Sequence, residues 1–192
     1  MRGVKTPRRC PWNRLPGWAK TGIGGLLAGL ALLPGTGGAD CADYGEFIHR
    51  VGGVDTPGHA YGVAMAGSFA YVADGTNGLE VVDLSDPAAP AIVGRVVPPG
   101  DARGVAVAGS FAYVASGDFW GVRVINISNP AAPTLAGGVN TSGNACAVAV
   151  AGPLACVAAG PAGLHVIDIS NPAVPVILGS VDTPGWAYGV DV

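Results

Sequence analysis

The chain has 192 residues, which is enough for one domain of ordinary size. Its net charge of −3 hides an asymmetry, because six of the ten basic residues precede residue 21 and no acidic residue precedes Asp40. From Asp40 onward there are four arginines, no lysine and 13 acidic residues, so the net charge of this part is −9. Such an acidic surface repels phosphate backbones and excludes nucleic acid as a partner.

The N-terminal segment has the three-part order of a secretory signal. A basic stretch leads into the apolar run 22–33, and small residues follow up to Ala39. Twelve apolar residues are too few to cross a bilayer core about 30 Å thick, which takes about 20. We therefore predict a signal peptide over residues 1–39 and an N-terminal lead-in over 40–49, with an uncleaved anchor as the alternative. The mature protein is expected to be extracytoplasmic (secreted, periplasmic or at the cell surface), with membrane contact only through the signal peptide.

The rest of the chain repeats with a period of about 42 residues. The motif Gly78–Pro90 recurs at Gly121–Pro133 and at Gly163–Pro175. Each copy contains four short runs rich in β-branched and aromatic residues, bounded by Gly, Pro, Asn and Asp, which is typical of strands joined by tight turns. We divide the chain into complete repeats at 55–97, 98–139 and 140–181, with partial repeats at 50–54 and 182–192.

The third run of each copy carries a recognisable motif. It reads Leu-Glu-Val-Val-Asp from Leu79 and Leu-His-Val-Ile-Asp from Leu164, and it resembles the LVIVD-repeat family of bacterial and archaeal extracytoplasmic proteins. That resemblance implies a repeat similar to a β-propeller blade and implies no particular activity, since none is established for the family in general. Four strands in about 42 residues is also the period of a propeller blade. We predict an all-β fold of β-propeller-type four-stranded blades, with a solenoid of stacked strands as the alternative.

The number of repeats is too small for a closed ring. Propellers usually close with four to eight blades, whereas this chain has three full repeats plus partial ones that supply a last strand and a first strand. We therefore predict an open, incomplete ring and a fragment of a longer polypeptide. The alternative is a native protein that completes its ring by self-association through the uncovered blade edges.

Two sets of loops vary between repeats while the strands stay constant. One set leads into the first strand, and the other joins the second strand to the third; both are expected on one face of a propeller. Polar and aromatic groups gathered on a rigid face suit binding, although ordinary exposed loops would look similar. The candidate ligand-binding residues are His59, Tyr61, Asp101, Arg103, Asn144, Trp186 and Tyr188 from the first set, with Asp118 and Trp120 from the second.

No catalytic motif, cofactor motif or metal site is identified. The three histidines share no spacing that would suit zinc, and the loop Asp74–Gly78 lacks the later bidentate glutamate of a calcium loop. A polar residue recurs at one position of the third strand, which suits a blade-locking hydrogen bond better than catalysis; its copies are Asp83, Asn126 and Asp168.

Cysteine usage leaves one pairing open. Export implies an oxidising compartment, and Cys146 and Cys156 lie on the two arms of one predicted hairpin. A disulfide between them requires close Cα atoms and converging side chains, and the strand register decides whether they meet. The alternative is a buried apolar thiol at Cys156, which takes the place of Tyr71 and Tyr113.

Three functional hypotheses follow. The first is an exported, non-enzymatic repeat protein that binds a protein or glycan at the cell surface or outside the cell. The second is part of a propeller enzyme, a lyase or hydrolase, with its site in blades beyond this chain. The third is a passive structural spacer within a larger surface protein.

Overall fold

A computed structural model describes residues 50–192; the predicted signal peptide over 1–39 and the lead-in over 40–49 lie outside the described residues. Residues 50–192 form three four-stranded antiparallel sheets, each with its strands paired in chain order. They contain no helix that could span a membrane. The predicted all-β fold of four-stranded, propeller-type blades in an unclosed ring is confirmed.

The twelve strands divide evenly among three blades. In every blade the third and fourth strands shift register at the same place, between Val81 and Val82 in the first, and between the equivalent residues in the others. The first blade comprises β1 (Gly62–Ala66), β2 (Phe69–Ala73), β3 (Leu79–Asp83) and β4 (Ala91–Val96). The second comprises β5 (Ala102–Ala108), β6 (Phe111–Ser116), β7 (Gly121–Asn126) and β8 (Thr134–Val139). The third comprises β9 (Ala147–Ala151), β10 (Leu154–Ala158), β11 (Leu164–Asp168) and β12 (Val176–Val181).

Side chains of Asp and Asn fix the turn between the third and fourth strands. Asp86 Oδ1 accepts a hydrogen bond from the backbone N–H of Ala88 at 3.0 Å, and the equivalent Asn129 and Asn171 do the same. This is the turn capping that the Asp-Pro and Asn-Pro pairs indicate.

The recurrent polar residue at the end of the third strand acts locally. Asp83 Oδ1 accepts from the backbone N–H of Ser85 at 2.8 Å, and Asn126 and Asp168 repeat this contact with the serine two residues on. The hydrogen bond expected here therefore fastens a strand to its own turn and does not join one blade to another. Hydrogen bonds from Ser85 also lower the pKa of the Asp83 carboxyl, as those from Ser170 lower the pKa of Asp168.

The hydrophobic core lies between blades. One face of each blade packs on the opposite face of the next, and both junctions use equivalent positions. The second blade is covered on both sides, so every residue of β7 before Asn126 is buried. Burying one such side chain contributes about 1.5–3 kcal/mol. At the first junction the packed residues are Tyr71, Ala73, Leu79 and Val81 on one side and Ala112, Val114, Ile125 and Ile127 on the other.

Close backbone contacts accompany this packing. A Cβ placed on Gly94 in β4 would lie 2.0 Å from the carbonyl oxygen of Pro130 in the next blade's turn. A Cβ on the equivalent Gly137 would lie 2.5 Å from carbonyl oxygens of the turn that follows Asn171, and one on Gly52 would lie 2.3 Å from the carbonyl oxygen of Pro87. Any side chain at these three positions would push the two blades apart. Gly52 thus lies against the first blade as the fourth strand of a preceding blade would.

The outer face of the first blade is open only in part, because Val54 packs on its middle strands β2 and β3 while β1 stays exposed. Val63 is 63% exposed and Met65 is 58% exposed, whereas the equivalent Val105 and Val107 of the second blade pack against the core between blades. A cavity of about 610 Å³ lined mainly by apolar side chains runs along this face. Exposed apolar surface of this kind favours association.

Each blade also buries a polar side chain at one position of its third strand. Glu80, Arg123 and His165 occupy this position and are 1%, 9% and 4% exposed. Glu80 pairs with Arg95 Nε at 3.2 Å, and Arg123 donates to the carbonyl oxygen of Trp120 at 2.7 Å. His165 Nε2 lies 3.3 Å from Ser142 Oγ, while its Nδ1 has no hydrogen-bond partner. Burial raises the pKa of Glu80, against the opposing effect of Arg95, and lowers the pKa of Arg123 and of His165.

We expect the open face of the first blade to drive self-association. Replacing Val63 and Met65 by lysine places two charges on that face, so the oligomeric fraction measured by sedimentation at tens of micromolar protein should fall. Val174→Lys is the matched control, because Val174 is also 63% exposed but lies in a turn of the third blade. An unchanged oligomeric fraction in the double variant would contradict this role.

Protonation of the buried His165 should destabilise the protein in mild acid. Its pKa in the folded state lies below the ordinary value of about 6.5, so protonation favours the unfolded chain. The contribution of neutral His165 to the free energy of unfolding is therefore fully present above about pH 6.5 and is lost as the pH falls below that value. Thermal unfolding between pH 7.5 and 5.5 should depend less on pH in His165→Gln than in the wild type. His59→Gln, altered at an exposed histidine, should keep the wild-type slope; equal slopes in all three proteins would refute the assignment.

Candidate functional site

One cavity gathers the equivalent residues that lead into the first strand of successive repeats. Tyr61 precedes β1, Arg103 lies in β5, Cys146 precedes β9, and Tyr188 lies in the partial repeat 182–192. Together they line a cavity of about 370 Å³. Tyr61, Arg103 and Tyr188, which the sequence identifies as candidates, are thus brought together although they are far apart in the chain.

Backbone pairing between repeats holds this end of the molecule. Gly75 and Ala102 exchange two backbone hydrogen bonds of 3.0 Å, and Gly160 and Ala187 exchange two of 3.1 and 2.9 Å. Each pair joins the loop after a second strand to the segment that leads into the next repeat. Gly75 and Gly160 have φ values of +61° and +56°, a conformation that glycine adopts without strain. Both loop sets therefore emerge at the same end of the blades.

Aromatic rings flank the cavity in two pairs. The centroids of His59 and Tyr61 are 6.4 Å apart with the rings tilted by 57°, and those of Trp186 and Tyr188 are 5.8 Å apart in a stacked arrangement. Tyr61 and Tyr188 are 63% and 68% exposed. His59 and Trp186 thus support the tyrosines from outside the lining. Large rings left this exposed present amphipathic contact area to a ligand.

Arg103 supplies the positive charge of the cavity. Its side chain lies against Gly117, where an added Cβ would be 2.7 Å from Arg103 Nε. The guanidinium makes no hydrogen bond or ion pair with any residue in 50–192. In contrast, Arg95 is engaged by Glu80 and Asn77, and Arg123 by Trp120 and Asn140. Arg103 therefore keeps its donors available to a ligand.

The loop after β6 differs from its counterparts. It has one residue more between its glycines than the loops of the other blades, and Asp118 and Phe119 adopt φ values of +57° and +68°. Such values are uncommon for residues other than glycine and cost conformational energy. The backbone N–H of Asp118 donates to Asn144 Oδ1 at 2.9 Å, so these two candidate residues do meet.

Other candidates lie away from the cavity lining. Trp120 packs over Gly100, where an added Cβ would be 2.7 Å from its ring, and the Arg123 guanidinium lies 5.2 Å from its ring centroid. Asp101 binds the loop after β6 through its backbone, since its carbonyl oxygen accepts from Gly117 N at 2.8 Å. The cavity lining thus does not include Asn144, Asp101, Asp118 or Trp120.

The disulfide considered between Cys146 and Cys156 does not form, and both thiols are free. Cys156 pairs across the sheet with Ala149, three residues along the strand from Cys146. Three residues of strand span about 10 Å and reverse the side-chain direction, whereas a bridge needs Cα atoms within about 7 Å. Cys146 Sγ instead donates to the carbonyl oxygen of Asn144 at 3.3 Å.

Sequence reasoning missed the buried polar groups in the blades. Asp74 is fully buried and accepts hydrogen bonds from Thr56 Oγ1 at 2.6 Å and from the backbone N–H of Gly58 at 2.7 Å. Asp74 lies in the loop after β2, whereas Glu80, Arg123 and His165 lie in third strands, and none of the four lines the cavity. Aligning the repeats would have detected the signal, because a charged residue or histidine interrupts an apolar strand at one fixed position. Within residues 50–192 no three His, Cys, Asp or Glu side chains converge on a common point that could hold a metal ion.

Comparison with solved structures shows the fold. The chain is similar to Kuenenia stuttgartiensis hydrazine synthase, with 18% identity, a TM-score of 0.57, and coverage of 73% of this chain and 40% of that one. It is also similar to the computationally designed Ika4 protein, with 12% identity, a TM-score of 0.55, and coverage of 72% and 80%. A Bacteroides thetaiotaomicron protein of unknown function shares 15% identity over 67% of this chain and 33% of its own, with a TM-score of 0.51. The chain thus spans less than half of the hydrazine synthase chain.

The sequence comparisons identify the repeat itself. Among curated proteins, none matches this sequence. The model of the LVIVD repeat matches three consecutive stretches, residues 57–97, 99–141 and 142–183, which together make up more than half of the chain. Each of these stretches contains one complete blade. The chain therefore belongs to the LVIVD-repeat family.

Proposed function

We propose that this protein is an exported, non-enzymatic binding module that engages a protein or glycan at the cell surface or outside the cell. The observation that carries the proposal is the cavity lined by Tyr61, Arg103, Cys146 and Tyr188. Tyrosine, tryptophan and arginine are the residue types that dominate the energy of binding surfaces. Backbone pairing between repeats holds Ala102 and Ala187, the residues next to Arg103 and Tyr188, so little ordering of these segments is required on binding.

Export is supported by the N-terminal sequence. The basic stretch, the apolar run 22–33 and the small residues up to Ala39 have the order of a cleavable signal. Beyond Asp40 the chain is acidic and free of lysine. An extracytoplasmic location would place the binding cavity where glycans and surface proteins are available.

An enzyme remains the second candidate, as a lyase or hydrolase whose site lies in further blades. Hydrazine synthase is an enzyme by name, but a similarity of 18% identity supports a common fold and not a common activity. Among residues 50–192 the cavity lining consists of a guanidinium, a thiol and two phenols, whereas proton transfer near neutral pH is most often performed by an imidazole or a carboxylate. This composition favours binding over catalysis.

A passive spacer is the third candidate, and it accounts poorly for the exposed rings. Tyr61, Trp186 and Tyr188 are each more than half exposed at one end of the blades. A spacer gains nothing from apolar rings in water, whereas a binding module requires them.

Alanine substitutions test the proposed surface. Tyr61→Ala and Tyr188→Ala should each reduce retention on glycan and cell-wall arrays about tenfold, because each removes a ring at the cavity. Trp186→Ala should reduce it less, since Trp186 supports Tyr188 by stacking. Trp120→Ala should have little effect, because Trp120 packs over Gly100.

Phe119→Ala is the matched control, since Phe119 is 63% exposed but does not line the cavity. Each variant should keep the wild-type circular dichroism spectrum. Retention that is unchanged in both tyrosine variants would remove the cavity as the binding surface.

A further inference from the structure

We propose that Arg103 makes the cavity selective for a sugar that carries a carboxylate, such as a hexuronic acid at the end of a glycan. This inference rests on the proposed binding function and specifies its ligand. It depends on three features of the cavity: a guanidinium with no partner among residues 50–192, two exposed phenol rings and a small volume.

The guanidinium is suited to hold an anion. It makes no hydrogen bond or ion pair with residues 50–192, and it lies beside Gly117, where an added Cβ would be 2.7 Å from its Nε. Arginine presents donors in a planar fork that matches the two oxygens of a carboxylate. Asp101 and Asp118 lie near Arg103 in the fold, but neither pairs with it. The positive charge at the cavity is therefore available for an outside carboxylate.

The rings and the volume favour a sugar over a protein surface. Tyr61 and Tyr188 expose most of their area and carry hydroxyl groups, so they can contact both the apolar C–H groups and the hydroxyls of a pyranose. A volume of about 370 Å³ is near the small end of the range for small-molecule sites, about 300–1,000 Å³. The cavity thus fits one or two sugar units.

The charge of the rest of the protein restricts the length of the ligand. From Asp40 onward the chain has a net charge of −9, so a long polyanion would be repelled although one carboxylate is attracted to Arg103. A single terminal uronic acid supplies one carboxylate for Arg103 and adds little further negative charge to be repelled. Heavily charged polymers should bind less well than a short ligand with one carboxylate.

Calorimetric titration of the whole chain tests the inference with three disaccharides. These are one ending in a hexuronic acid, its neutral hexose counterpart, and the same neutral sugar bearing a sulfate. The wild type should bind the uronate at least tenfold more tightly than the neutral sugar. Arg103→Gln should reduce this ratio to about one, because the uronate loses the guanidinium contact that the neutral sugar lacks, and Arg103→Lys should keep a ratio above one because it keeps the charge.

The outcomes separate this inference from the proposed function. Equal affinity for uronate and neutral sugar in the wild type, or an unchanged ratio in Arg103→Gln, would overturn the uronate assignment while the binding function stands. Sulfate binding as tight as uronate binding would also overturn the selectivity for a carboxylate. If no sugar binds and an acidic peptide binds instead, the glycan is wrong but the binding module stands. If neither sugars nor peptides bind the wild type, both proposals fail.

Discussion

Packing of one blade face on the next is the interaction on which the structure depends. A single four-stranded sheet of this size cannot bury both of its apolar faces, so each blade is stable only against a neighbour. The second blade has a neighbour on both sides and contributes to both core clusters. Gly94 and Gly137 allow the backbones to approach closely at the outer edge of each junction. The positions of the loops that carry the candidate binding residues depend on this stack.

Much of the fold could be predicted because its determinants are local and repeated. Proline and Asx residues mark the same turn in each copy, and the hairpin glycines Gly67, Gly109 and Gly152 all have φ near +57°. The end of the third strand was harder to interpret, because a regularly spaced Asp or Asn suits a contact between blades as well as one within a turn. Only the side-chain contacts of the folded protein show that Asp83 accepts a hydrogen bond from its own serine neighbour. The strand register, which the sequence does not determine, shows that Cys146 and Cys156 are too far apart for a disulfide.

The candidate site was only partly predictable, because its geometry depends on contacts between residues that are far apart in the chain. Comparing repeats indicates which loop positions vary, and this placed Tyr61, Arg103 and Tyr188 among nine candidates without separating them from the other six. It could not show that the extra residue of the loop after β6 puts Asp118 and Phe119 in a left-handed conformation. Nor could it show that Trp120 turns toward Gly100. Buried polar groups such as His165 were missed because such residues are usually exposed, and only the surrounding sheets show that this one is not.

Native-state hydrogen exchange tests the central claim most directly. If blades are stabilised by their neighbours, backbone amides of β6 and β7, in the blade covered on both faces, should exchange more slowly than those of β10 and β11 in the third blade. Protection of backbone amides from exchange should be highest in the second blade and lower in the third. Equal protection of equivalent strands in the second and third blades would contradict it, because each blade would then be stable by itself.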